Sequence, residues 1–240
     1  MFHGKRVLAI IPARGGSKRV PRKNIRLLCG RPLLAYTIDV ARSTPAIDRT
    51  IVSTDDEETQ DVARRSGADV PFLRPAELAG DRVPDGPVLA HALAFLEEQG
   101  EHFDYVLNLR PTTPFKERHD IEQALAVAEA NRCDLVRSVT RVEGTSHPYW
   151  MYLGENGLLK PLFPEKSIRE YYQSQLLPAN IFSLNGVVDL FTVAQVRDAP
   201  WPYEAPCMGY IAIPKERAID IDSEDDFLIA ETLMKRYHAP

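Results

Sequence analysis

The sequence predicts an α/β fold, a Rossmann-like three-layer sandwich around a mostly parallel sheet. Two observations carry that expectation. Short apolar runs rich in branched residues recur along the chain, as strands buried on both faces require. Between them lie segments with helical periodicity, and alternation of strand and helix is the pattern of a parallel sheet covered by helices. A length of 240 residues with 44% hydrophobic content suffices for one substantial core. Residues 1–240 are therefore expected to form a single domain.

The first strand is Val7 to Ile11, stopped by Pro12. Further strands are expected in "RTIVST" (49–54), "YVLNL" (105–109) and "DLVRSV" (134–139). The intervening helices are "PLLAYTIDVARS" (32–43), "DEETQDVARRSG" (56–67), "GPVLAHALAFLEEQG" (86–100) and "KERHDIEQALAVAEAN" (116–131). Pro32 suits the first turn of its helix, and acidic residues open the next one, where the helix dipole favours them. After Arg141 the rhythm changes. "HPYWMYLGENGLLKPLFP" reads as two strands around an Asn156-Gly157 hairpin turn, with aromatic residues that suit either a partner surface or packing on the body. Residues 141–181 are thus expected to be an insertion or arm. The core pattern resumes in "IFSLNGVVDLF" and "CMGYIAIP" and ends in the helical "SEDDFLIAETLMKRY".

A formal charge of −5 argues against a general nucleic-acid or membrane-surface binder, since these carry a net basic field. Three dispersed cysteines, Cys29, Cys133 and Cys207, have no zinc or disulfide spacing and are expected to be buried, inert thiols. No apolar run approaches the length of a membrane span, and a cytoplasmic setting is expected. His91, His119 and His147 are read as surface or structural residues.

Two clusters carry chemistry. In "PARGGSKRVPRKNIR", Gly15 and Gly16 directly follow the first strand, where ligands of such folds bind, and six cations lie between Arg14 and Arg26. Glycines there let consecutive N–H groups approach an anion, so a phosphate cradle competes with a solvated turn. The loop is neither a Walker sequence nor GxGxxG. In "IDIDSEDDF", a strand would place Asp220 and Asp222 on one face, as two hard oxygen donors of the kind Mg²⁺ takes. Ser223, Glu224 and Asp226 belong instead to the start of the last helix, with Ser223 and Asp226 as a capping box.

An anion loop with a carboxylate pair points to a nucleoside triphosphate. Four segments, "IPARGGSKRVPRKNI", "FLRPAELAGD", "LNLRPTTPFK" and "IDIDSEDDF", together resemble the CMP-sialic acid synthetase (acylneuraminate cytidylyltransferase) family in order and across nearly the whole chain. The resemblance implies the nucleotide-diphospho-sugar transferase fold and transfer of CMP from CTP to a nonulosonic (2-keto sugar) acid, with release of pyrophosphate. It implies nucleotide contacts from Ala13, Arg14, Gly15, Gly16, Ser17, Lys18, Asn24 and Arg74. Arg14, Lys23 and Asp222 would be catalytic, and Asp220 and Asp222 would bind Mg²⁺ or Mn²⁺. Arg110, Thr112, Asn185 and Gly186 would face the sugar, although Asn185-Gly186 also reads simply as a turn. The 141–181 segment would serve as dimerisation arm and acceptor lid of a homodimer or higher oligomer.

The chain departs from the family pattern on the sugar side. Arg110 stands where the family commonly has Gln, and Ser174 and Ser183 stand where arginines are usual. Arg110 is expected to compensate by gripping the acceptor carboxylate, with Lys166 and Arg169 as further candidates. A nucleotidyltransferase using a sugar 1-phosphate or another sugar acid with a different nucleotide, and a non-catalytic nucleotide binder, are the alternative readings.

Overall fold

The structure is a computed structural model, and it describes residues 1–166, 168–199 and 201–237. Strand β1 (Val7–Pro12) is an inner strand of the main sheet, and Val7 through Ile11 are all fully buried. A run with no polar position can satisfy both pleat faces only where helices cover both. The remaining elements in chain order are β2 (Leu27–Leu28), β3 (Arg31–Pro32), α1 (Leu33–Ser43), β4 (Arg49–Ser53), α2 (Glu57–Arg65), α3 (Asp85–Glu98), β5 (Tyr105–Asn108), α4 (Arg118–Asn131), β6 (Leu135–Arg141), β7 (Tyr152–Glu155), β8 (Leu158–Pro161), β9 (Phe182–Thr192), α5 (Val193–Asp198), β10 (Met208–Ala212) and α6 (Glu224–Tyr237).

Six strands form the main sheet in the order β10-β6-β9-β5-β1-β4. β1 runs parallel to β4 and β5, and β6 runs parallel to β10. β9 is antiparallel to both of its neighbours, β5 and β6, so the sheet is mixed at that one strand. Consequently the start of β9 lies at the same end of the sheet as the carboxyl ends of β1, β5 and β6. One face packs on α1, α2 and α4 through Val7, Ala9, Ile38, Ala63 and Leu125. The other packs on α3 and α5 through Leu8, Ile10, Leu93 and Val196. Each of the Val, Leu and Ile side chains, once buried, contributes roughly 1.5–3 kcal/mol.

A third cluster fastens α6 beside the opening loop, with Val20, Leu28, Leu33, Phe115, Ile221 and Phe227 in contact. α2 is capped by Asp56, whose carboxylate accepts from the Thr59 amide at 2.8 Å. The hairpin β7/β8 turns through Asn156 and Gly157, both in the left-handed region, as a type I′ turn demands. Both its strands are exposed throughout. The expectation of three buried cysteines holds only for Cys133; Cys29 and Cys207 are half-buried.

Candidate active site

The opening loop leaves β1 at Ala13, whose amide donates to the Ser53 carbonyl of β4 at 2.9 Å. Asn24 is buried and its Nδ2 donates to the Arg14 carbonyl at 2.9 Å, closing the loop on itself. The two glycines do different work from the paired anion nest expected. The Gly15 amide already donates to Asp55 Oδ1 at 3.0 Å, and a Cβ at Gly15 would lie 2.5 Å from the Cβ of Asp56. Close packing on the cap of α2, rather than an open amide, is what requires glycine there. Gly16 has open space around it and its amide hydrogen-bonds no described group. The cations are likewise paired. Arg14 donates to Asp81 at 2.8 Å, Lys18 also meets Asp81, and Arg22 bonds to Asp56 and Glu58.

Asp220 and Asp222 lie not on a strand but in the extended link before α6. The alternation survives without sheet pairing, because Ile221 between them is fully buried in the third cluster while both carboxylates line a cavity. Lys23 spans the link, with Nζ donating to Asp222 Oδ1 at 3.0 Å and to the Ile221 carbonyl. The Ser223–Asp226 capping box forms as expected, with Ser223 N donating to Asp226 Oδ2 at 2.9 Å. Burial raises the Asp220 carboxyl above its ordinary value, a hydrogen bond from Thr112 opposes this, and neighbouring Asp222 adds to the rise.

That environment fits a divalent cation. Two hard carboxylates that line one cavity and repel each other suit Mg²⁺ completed by water and phosphate oxygens. Among the described residues no cluster of three or more His, Cys, Asp or Glu converges, so the protein would supply only these two ligands.

The cavity of about 310 Å³ beside Asp220 is lined by Arg14, Ser17, Lys23, Asn24, Arg74 and Thr112 among others. Arg74 is no surface residue. It is buried, its Nε donates to Ser53 Oγ at 3.0 Å, and burial pushes its guanidinium down to about 10. Thr112 belongs to this inner cavity and is not among the residues lining the outer one. A larger cavity of about 770 Å³ adjoins it, lined by Thr140, Arg141, Ser183, Asn185, Gly186 and Lys215 among others. Arg110 and Asp220 line both cavities and form the seam between them.

Arg110 is held there by a buried ionic network. Its Nη1 donates to Asp189 Oδ2 at 2.7 Å, its Nε to Asp85 Oδ2 at 2.9 Å, and its Nη2 to the Tyr203 hydroxyl at 3.1 Å. Burial alone would lower its pKa, but Asp189 and Asp85 outweigh that and hold it above the ordinary arginine value. Arg137 Nε donates to the other Asp189 oxygen at 3.0 Å. Register explains the meeting: Asn108, Asp189 and Arg137 lie side by side on β5, β9 and β6. The guanidinium expected to grip an acceptor carboxylate is thus already committed to two protein carboxylates.

Asn185 braces the outer wall, with Nδ2 donating to Thr140 Oγ1 at 2.9 Å and Oδ1 accepting from the Val187 amide. Gly186 has φ +65°, and a Cβ there would meet Arg110 Nη1 at 2.8 Å. Asn185-Gly186 is not a free-standing turn but lies within β9, at the irregularity in its pairing with β6, where it forms part of the outer cavity's wall. Lys166 and Arg169 line neither cavity; Lys166 sits over the Tyr149 ring.

Asp85, Arg137, Asp189 and Tyr203 escaped the sequence reading. A signal was present in "DLVRSV" and "VVDLF", where an opposite charge interrupts each apolar strand. Such charges, once buried, must find each other.

A fold of this topology, with a cation-rich glycine loop after β1, a carboxylate pair and a second cavity joined at one seam, defines a nucleotidyltransferase class. Comparison with known proteins carries this further. A family profile described as cytidylyltransferase matches residues 8–180, and the chain belongs to that family. It is 34% identical to the CMP-N,N'-diacetyllegionaminic acid synthase of Legionella pneumophila, over 96% of this chain and 97% of the relative. It is 32% identical to the pseudaminic acid cytidylyltransferase of Campylobacter jejuni, over 96% of this chain and 97% of the relative. In fold it is similar to a CMP:2-keto-3-deoxy-manno-octonic acid synthetase solved with CTP, at TM-score 0.69 and 15% identity, covering 96% of this chain and 99% of that one.

Proposed function

We propose that the enzyme transfers CMP from CTP to a nonulosonic acid, with CTP in the inner cavity and the sugar acid in the outer one. The observation that carries this reading is the shared wall of Arg110 and Asp220, where two adjoining cavities meet at one carboxylate. Relatives named for legionaminic and pseudaminic acids support the acceptor class.

In the reaction the anomeric hydroxyl oxygen of the acid bonds to the α-phosphorus. The bond from that phosphorus to the oxygen bridging the β-phosphate breaks, its electron pair leaves with pyrophosphate, and the hydroxyl proton passes to a base. Arg14, Lys18, Lys23 and the Gly16 amide offset charge on the β- and γ-phosphates and the leaving group. Their present carboxylate partners, Asp81 and Asp222, are over a third exposed, so exchange for phosphate oxygens costs little. Arg74 presents its Nη1, which has no hydrogen bond to a described residue, on the wall assigned to the base. Asp220 and Asp222 would hold Mg²⁺ or Mn²⁺, and that ion would supply Lewis-acid polarisation of the α-phosphate.

Residues 141–181 act in this proposal as acceptor lid and dimerisation arm of a single nucleotidyltransferase domain. They contribute Arg141, Glu143 and Ser146 to the outer cavity, and Leu153, Leu158 and Leu159 of the hairpin are 58–70% exposed, as a homodimer surface would require. Pyrophosphate release measured over a matrix of CTP, GTP, UTP and ATP against nonulosonic acids and sugar 1-phosphates tests the reading. Turnover confined to CTP with the acids is expected; turnover confined to sugar 1-phosphates would overturn it.

A further inference from the structure

We infer that Arg137 on β6 is the residue that binds the acceptor's carboxylate, in place of the cations absent at positions 174 and 183. The inference rests on the proposed function and names a specificity-determining residue within its outer cavity. Any acid taken there brings a carboxylate, and with serine at 183 that cavity has no cation from β9. Its lining offers four cations, and their surroundings distinguish them.

Arg110 directs Nε, Nη1 and Nη2 to Asp85, Asp189 and Tyr203, so an added carboxylate would compete with two protein ones. Arg141 is half-exposed and lies 3.5 Å from Glu143, where water screens any pairing. Lys215 is exposed, beside Glu216, and makes no ion pair with a described residue. Arg137 differs from all three. Its side chain is 15% exposed, so its charge is little screened, yet only Nε is engaged, at 3.0 Å from Asp189.

The two Nη groups of Arg137 hydrogen-bond no described residue, and the side chain lines the outer cavity. Asp189 fixes one edge of the guanidinium and the Tyr203 ring lies 4.8 Å beneath it, an arrangement that orients the plane before substrate arrives. A guanidinium held by one edge leaves its Nη pair for a bidentate carboxylate. Arg137 and Thr140 both line the outer cavity, beside an irregularity in the β6/β9 pairing between Arg137 and Val139 where the extra residues lie on β9. Arg137 on β6 thus gives this cavity a cation that its β9 lining does not.

The test compares wild type, Arg137→Gln, Arg137→Lys and the rim variant Arg141→Gln. Each is assayed with CTP and N,N'-diacetyllegionaminic, pseudaminic or N-acetylneuraminic acid, and with the C1 amide of whichever acid wild type uses. Arg137→Gln is expected to raise the acid's KM roughly 10- to 100-fold, leave the KM for CTP within about twofold, and collapse the preference for acid over amide. Should Arg137→Gln fail to show a CTP-induced thermal shift, Arg137→Lys, which keeps a cation on Asp189, carries the test. A single ammonium cannot serve both carboxylates with the same geometry, so its acid-over-amide preference is expected to fall as well. Unchanged acid-over-amide preference in the Arg137 variants, or its loss in Arg141→Gln instead, overturns the assignment alone. Failure of wild type to use any of the three acids overturns the proposed function, and this assignment with it.

Discussion

Replacing Asp189 by Asn removes one charge from the network behind the seam and leaves the side-chain volume nearly unchanged. Asp189 is fully buried and its two oxygens accept from Arg110 at 2.7 Å and Arg137 at 3.0 Å. In wild type two guanidinium groups face two carboxylates, Asp85 and Asp189, and the cluster is neutral. Asp189→Asn leaves Arg110 its pair with Asp85 but takes from Arg137 the carboxylate it bonds, and one amide edge opposes donor to donor. Breaking a buried pair in this way costs about 3–5 kcal/mol. At roughly 2–4 °C per kcal/mol for a chain of this size, the melting temperature should fall by about 6–20 °C. Urea unfolding at neutral pH with circular dichroism detection reads the loss directly. A destabilisation below about 1 kcal/mol, the scale of an exposed pair, would refute the buried network as the element that holds the seam.

Gly15→Ala places a Cβ 2.5 Å from that of Asp56; the cap of α2 or the loop must shift, and the KM for CTP should rise at least tenfold, read by initial rates. Chelation of divalent cations should abolish turnover, and Asp220→Asn should lower kcat by about a hundredfold or more, whereas full activity in excess EDTA would remove the metal from the mechanism. Lys116 is buried and donates to Thr37 Oγ1 and to the Arg110 and Thr113 carbonyls, and burial pushes its ammonium down to about 7. Between that pH and the ordinary lysine value the unfolded chain binds the extra proton, so wild-type stability should rise with pH relative to Lys116→Met, by at most about 1.4 kcal/mol per pH unit between pH 7 and 10. Parallel urea titrations of the two proteins check this, and a flat difference would show that Lys116 stays charged when folded.

The sheet was legible because burial on both faces leaves β1 no polar position, and the helices because their periodicity and caps are local properties. The positions of Arg14, Lys23, Asn24, Asp220 and Asp222 around one cavity were legible through motif and resemblance. The partners were not, because pairing across strands depends on register. Nothing near Arg110 in sequence announces that Asp85 and Asp189 neutralise it, and reading its guanidinium as a free grip missed both. Asp220 and Asp222 were assigned to a strand on alternation alone; the link before α6 reproduces that alternation because Ile221 anchors it, without any ladder. Gly15 was likewise read for its amide when its missing Cβ is what the packing uses. In each case local chemistry was visible and the long-range neighbour was hidden.

In the proposed reaction the acceptor's own anomeric oxygen attacks the α-phosphorus of CTP at the seam between the cavities. An acceptor labelled with ¹⁸O at the anomeric hydroxyl, turned over with unlabelled CTP and quenched for mass spectrometry, tests it. One ¹⁸O in the bridge between sugar and CMP and none in pyrophosphate is expected. A CMP-sugar lacking the label, or no CMP-sugar formed from a nonulosonic acid, would contradict it.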